Sequence, residues 1–407
     1  MKILLSGINF APELTGIGKY TGELAAWLAV HGHEVRVVTA PPYYPAWAVS
    51  PGYSGRAYES EQWQGVTVLR CPLWVPRQPG GAKRLLHLAS FALSSLPVLL
   101  AQVLWRPNLV WVVEPALFCA PAAAAMARLS GAKAWLHVQD FEVDAAFDLG
   151  LLKGQRRRKL VSGVERWLMR RFDVVSTISQ RMHQRLLTKG VDASKAKLAV
   201  NWVDMAQFSL PSPDGVIAYR RELDIPDDAV VALYSGNMGG KQGLEVLAEL
   251  AKLCPEVLCV FCGNGAGRAD LVARCQGLTN VRFMDLQPAE RLPDLLATAD
   301  IHLLPQRADA ADLVMPSKLT GMLASARPVV ATAHAGTDLA TVVQTCGLVV
   351  PPEDPLALAQ AVRTLAADPD LRERLGAAGY LYAQTHLDRE AVLLRFEAEV
   401  VGLLSNA

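Results

Sequence analysis

Four glycines in the stretch SGNMGGKQGLEVL, Gly236, Gly239, Gly240 and Gly243, surround Asn237, Lys241 and Gln242 between an apolar run and an amphipathic one. Glycine takes away the side chains that would hold a ligand off the backbone. A loop that opens a helix also aims amide N–H groups outward, so the stretch suits an anion such as phosphate. Its spacing is neither that of a P-loop nor the strict dinucleotide fingerprint, so alone it specifies no cofactor. Downstream, MPSKLTGMLASARPVVAT places Pro316 where a helix can open, with Ser317 and Lys318 beside it. Lys318 there is either a cation for a departing phosphate or a surface lysine lying along its own stem. Breaking a bond to phosphate builds negative charge on the departing group. Such a site needs fixed donors around the phosphate more than a strong base.

Near the chain start, Gly16 and Gly18 separate the strand KILLSG from a helix read as Lys19 to Val30, which marks either a tight turn or a close approach of backbone to ligand. On the second reading they keep the backbone bare for a bound phosphate or another substrate. Asp140 ends the strand AWLHVQD, where it can orient a reacting hydroxyl, and His137 lies three residues earlier. A lone histidine in an apolar strand is also a common core residue. Glu13, just before the glycines, is placed with His137 as acceptor-binding. Asn201, in NWVD, joins the donor-binding set, and both it and Asp204 are as readily turn formers as ligand contacts. Leu286, following the strand VRFMD, joins the donor-binding set. No metal site is expected: the strict D-x-D, Asp368 to Asp370, lies far along the chain from the glycine loops, and the C-x-x-C of Cys259 and Cys262 sits in an apolar strand, VLCVFCGNG.

These residues need strand ends to position them, and the pattern provides two series. KILLSG, EVRVVT, NLVWVVE, AWLHVQD and DVVSTIS alternate with helical stretches, and so do VVALYSG, VLCVFCG, VRFMD, DIHLLP, RPVVAT and CGLVVP. That is parallel α/β twice over, each series opening strand, glycine loop, helix. In the first helix Tyr20, Leu24, Trp27 and Leu28 share one face, and Gly32 sits at its C-terminal cap. The proline-rich connection 201–215 divides the series, giving units 1–205 and 206–385, and the amphipathic stretch 386–407 is long enough to reach back to the first.

With 40 Lys and Arg against 39 Asp and Glu in 407 residues, bulk electrostatics does not favour a nucleic-acid partner. The charge is nonetheless segregated: residues 1–200 hold 24 basic and 13 acidic side chains, the remainder 16 and 26. Together with the apolar stretch Leu85 to Trp105 and the run Arg156 to Lys159, the basic half suits an anionic membrane surface, or else an ordinary solvated face. Seven scattered cysteines and the lack of an export signal at the start fit a reduced, cytoplasmic, membrane-peripheral protein.

Taken in order, GIGKYTGELAAWLAVHGHEVRVVT, NWVD, GNMGGKQG, FCGNG, PSKLTGMLASARPVVAT and CGLVVPPEDP resemble glycosyltransferase family 4, the retaining GT-B enzymes, over nearly the whole chain. FAPELTGIGKY, PPYYPAW and VQDFEVDAA are most similar to the fucosyltransferase group of colanic acid clusters. The resemblance implies two Rossmann-like domains facing a central cleft, the last helix crossing back to the first domain. It further implies a GDP-fucose donor, a lipid-diphosphate-linked saccharide acceptor, no metal and no cofactor. Two departures stand out. The family's paired glutamates fall at Leu313 and Gly321, and its loop arginine and lysine at Asn237 and Gln242. A sugar-nucleotide epimerase of the same architecture and a non-catalytic sugar-nucleotide binder are the alternatives.

Overall fold

The computed structural model describes residues 1–14, 16–77, 80–114, 118–141, 155–208, 213–239, 242–308 and 315–405. The chain divides into two compact units, one of Met1–Val200 with Leu393–Ala407 and one of Asn201–Val392.

Among the described residues the first unit has eight strands: β1 Lys2–Ser6, β2 Glu34–Thr39, β3 Glu59–Trp63, β4 Val66–Arg70, β5 Leu109–Glu114, β6 Lys133–Val138, β7 Val174–Thr177 and β8 Ala196–Leu198. Their order is β3-β4-β2-β1-β5-β6-β7-β8, with β3 antiparallel to β4 and the other neighbours parallel. The near-continuous apolar runs in β1, β5 and β6 reflect strands covered on both faces. Helix α1, Gly16–Val30, buries Tyr20, Leu24, Trp27 and Leu28, the face that the periodicity predicts. It starts three residues earlier than expected, so both glycines lie within its first turn rather than ahead of it. Helix α2, Gly81–Ala101, contains Pro97, and helix α3 spans Gln155–Met169. By length and composition alone the segment Lys83–Trp105 could cross a membrane. Its polar residues are nonetheless tied into the unit: Ser94 donates to the Pro72 carbonyl at 2.6 Å, and His87 Nδ1 lies 2.8 Å from the Trp74 carbonyl.

Among the described residues the second unit carries six strands, all paired in parallel: β9 Val231–Ser235, β10 Leu258–Cys262, β11 Val281–Met284, β12 Ile301–Leu304, β13 Val329–Thr332 and β14 Gly347–Val350, in the order β11-β10-β9-β12-β13-β14. Cys259 and Cys262 are buried within β10, and Asp368 caps the helix Pro369–His386 by accepting from the Leu371 amide at 2.9 Å. Helix α4, Lys318–Ala324, follows β12.

The final helix, α5, Arg389–Ser405, belongs from Leu393 onward to the first unit. Trp111 and Trp135 are register partners on β5 and β6, and the Phe396 ring meets them edge-on at 4.7 and 5.3 Å. Glu397 pairs with His33 Nε2 at 2.6 Å. A buried aromatic wedge of this kind is worth about 3 kcal/mol over alanine. Phe396→Ala is therefore expected to lower the urea midpoint of the first unit's unfolding by that equivalent, followed by intrinsic tryptophan fluorescence.

Candidate active site

In the six-stranded sheet the strand order reverses between β9 and β12, which are direct neighbours (Ile301 opposite Ala232, His302 opposite Leu233). Loops leaving the carboxyl ends of two such strands diverge and leave a crevice. The glycine loop leaves β9 there, and the segment leading to α4 leaves β12.

The glycine loop is less open than its composition predicts. Its first residues lie on the backbone that follows β10: the Gly236 amide donates to the Cys262 carbonyl at 2.9 Å, the Met238 amide to the Asn264 carbonyl at 2.9 Å, and the Gly267 amide to the Met238 carbonyl at 2.8 Å. Two of the amides expected to meet a phosphate are thus spent on the sheet's own ladder. The glycines of FCGNG explain the closeness, since a methyl group at Gly263 would fall on the Gly236 carbonyl and one at Gly265 would come within 2.6 Å of the Met238 carbonyl. They serve backbone-to-backbone packing.

Gly236 itself, at φ +135°, makes room for Lys318: a methyl there would be 3.3 Å from Lys318 Cε. Lys318 Nζ donates to the Tyr234 hydroxyl at 2.8 Å and sits 4.2 Å from that ring's centroid. The Tyr234 hydroxyl in turn donates to the Asn237 carbonyl at 2.6 Å. Burial pushes the Lys318 ammonium down to about 7. The Asn237 and Gln242 side chains converge over Gly239, 3.2 and 3.0 Å from where its methyl would be. Gly243, at φ +61°, lies under Arg307, whose Cγ would be 3.2 Å from a methyl at that position. The structure therefore brings Lys318, Gly236, Asn237, Gly239, Gln242 and Gly243 together and adds Arg307 and Tyr234, which the sequence reading passed over. Only their offsets from strand ends β12 and β9 could have singled them out. Ser317 precedes α4 without capping it through its side chain, and Leu286 is half-buried just beyond β11. Gly240 and Lys241 lie outside the described residues.

The first unit corrects three expectations. Gly18 is buried, and a methyl on it would come 2.5 Å from Glu13 Oε2, so its bareness accommodates an internal carboxylate rather than a ligand. Glu13, 6% exposed, accepts from the Tyr43 and Tyr44 amides at 3.1 and 3.0 Å and from Asn9 Nδ2 at 2.9 Å. It is an internal anchor, not an acceptor contact. Burial raises it to about 7, against the pull of those donors and of Arg70. His137 is also internal: its Nδ1 is 2.8 Å from Ser176 Oγ, its ring stacks on Trp111 at 4.9 Å, and burial drops it to about 3, so it stays neutral in the core. Gly16, at φ +62°, faces open space, and Asp140 is half-buried two residues past β6. Asn201 is buried at the start of the second unit, where Asp204 pairs with Arg389 at 2.8 Å.

Residues 15–202 match the Glycosyl transferase 4-like domain and residues 216–382 match Glycosyl transferases group 1. Over 412 aligned positions, covering 99% of this chain and 100% of the relative, it is 45% identical to the "Putative colanic acid biosynthesis glycosyl transferase WcaI" of Escherichia coli K12. The chain belongs to glycosyltransferase family 4. Sucrose-phosphate synthase from Thermosynechococcus elongatus shares this glycosyltransferase's fold at TM-score 0.80, 18% identity and full coverage of both chains. So does Anabaena HepE, crystallised with UDP and glucose, at TM-score 0.72, 16% identity and coverage of 99% and 100%.

Within the family frame, Gly321 stands where the second glutamate would be, and a methyl on it would already be 3.1 Å from Leu296 Cδ1 and 3.8 Å from Phe208 Cζ. A carboxylate there would have to displace apolar neighbours. Leu313, at the first glutamate's position, lies outside the described residues. Among the described residues, Lys318 and Arg307 bring positive charge to the loop from the β12 side. Gly18→Ala is expected to cost about 1–3 kcal/mol by forcing Glu13 off its donors, seen as a lower thermal midpoint with faster amide exchange at Tyr43 and Tyr44.

Proposed function

We propose that this glycosyltransferase moves fucose from GDP-fucose, with retention and without a metal, to a lipid-diphosphate-linked saccharide in the assembly of an exopolysaccharide of the colanic acid type. The observation that carries the reading is the Lys318 ammonium, turned onto Tyr234 beside Gly236 where the sheet reverses direction. As the sugar–oxygen bond lengthens, charge gathers on the diphosphate, and a desolvated cation held in place stabilises it more than a solvated one would. Arg307, lying across Gly243, brings a second cation to the same end of the loop. The printed name of the E. coli relative supports the polysaccharide context. Asp140, at the carboxyl edge of the other sheet, is the candidate for orienting the acceptor hydroxyl.

The acceptor's lipid would lie at the inner face of the cell membrane, and the first unit offers suitable surfaces. Leu160, Val164 and Trp167 form one exposed stripe along α3, with Arg166 and the following Arg170 and Arg171 beside them. Leu86 and Leu93 of α2 are 60% and 73% exposed. Apolar side chains next to clustered cations are the pattern of a helix lying in an anionic interface.

The nucleotide is tested by thermal shift with GDP, UDP and ADP: GDP is expected to stabilise the chain by a few kcal/mol at saturating concentration, as expected for a ligand well above its dissociation constant. Stabilisation by UDP alone would overturn the fucose assignment. Lys318→Ala is expected to weaken GDP about 10–100-fold, the worth of a charge-assisted hydrogen bond. Lys318 carries its proton below about 7 and loses it above, so GDP affinity should fall between pH 6.5 and 8.5 in the wild type and hold level in Lys318→Arg. Cosedimentation with phosphatidylglycerol vesicles, but not phosphatidylcholine ones, is expected, and should drop in Trp167→Glu.

A further inference from the structure

Behind Glu13 the first unit holds a group of aromatic residues that the donor site does not use. Arg70, 2% exposed, donates to the carbonyls of Ala11 and Ala40 at 2.7 and 2.9 Å and so ties the loop after β1 to the loop after β2. Glu13 then fixes the second loop by the amides of Tyr43 and Tyr44. On that doubly pinned backbone the Tyr43 ring meets His87 of α2 at 4.8 Å, and Trp47 lies over both, 5.6 Å from Tyr43 and 5.2 Å from His87. Tyr43 and His87 are buried, whereas Trp47 is half-exposed. Trp47 also sits at φ +53°, a left-handed backbone that a bulky residue adopts only at a cost. Glu13 and Arg84 both act electrostatically on the neighbouring half-buried Tyr44.

A pyranose has one face of C–H groups and a rim of hydroxyls. Here the half-exposed Trp47 indole, backed by two buried rings, lies at the carboxyl end of a parallel sheet, where ligands of such folds bind. We propose that Trp47, supported by Tyr43 and His87, is the stacking platform for one sugar ring of the acceptor. The nucleotide, on the reading above, is held by the cations of the other unit. The inference rests on the transferase reading above, and it assigns Glu13 the part of a positioning residue for the platform.

The test is saturation-transfer difference NMR on the full chain with lactose, cellobiose and maltose, paired with the GDP thermal shift. Trp47→Gly removes the ring while supplying a residue at ease with positive φ, so the loop keeps its course. Wild type is expected to transfer saturation to the C–H protons of at least one disaccharide. Trp47→Gly should weaken that affinity at least tenfold, Trp47→Phe less, with melting temperature and GDP response close to wild type. The platform is overturned if wild type gives no transfer to any of the three, or if Trp47→Gly binds them as wild type does. It is equally overturned if Trp47→Gly loses stability together with its GDP response, which would make the ring a packing plug. Absence of a GDP shift in every protein alongside a Trp47-dependent saccharide signal would sink the donor assignment and leave the platform standing.

Discussion

The contact of one bare backbone with another, residues 236–238 against 262–267, sets the terms for the rest of the second unit. Two hydrogen-bonded chains can approach this closely only where side chains are missing, and the same absence that lets them meet opens the slot for the Lys318 stem. That slot leads the ammonium inward. It turns onto the Tyr234 hydroxyl and ring, and its charge becomes conditional on what else enters the crevice.

The two units solve the anion problem in different ways. In the second, cations wait beside a loop whose leading amides are already committed. In the first, the start of a long helix is next to the chain's own carboxylate, Glu13, whose room is guaranteed by Gly18. A helix start whose near side is already filled by that carboxyl has no room for a phosphate at the same spot, which leaves Gly16, facing open space, as the exposed part of the turn.

Much of this was legible in the residues. The alternation of apolar strands and amphipathic helices gave the second sheet and β1, β2, β5, β6 and β7 of the first, because period and strand length are local properties, while the short or polar strands β3, β4 and β8 went unread; the face of α1 followed from Tyr20, Leu24, Trp27 and Leu28 alone. The order of motifs, not any single one, pointed to the family. What could not be read was who occupies the space a glycine leaves. Gly18 and Gly236 look alike in sequence, yet one makes room for a carboxylate five residues back and the other for a lysine 82 positions ahead. The same limit hid Arg307, which has no motif of its own, and it misdirected His137, whose burial depends on the Trp111 ring of a neighbouring strand.

Phe396 fills the face of Trp111 and Trp135 from the far end of the chain. During synthesis those two indoles are made long before their cover exists, so the earlier half must wait, incompletely closed, while the later half is translated. A ribosome-bound intermediate of this protein would present a sticky aromatic face to chaperones until its last helix emerges.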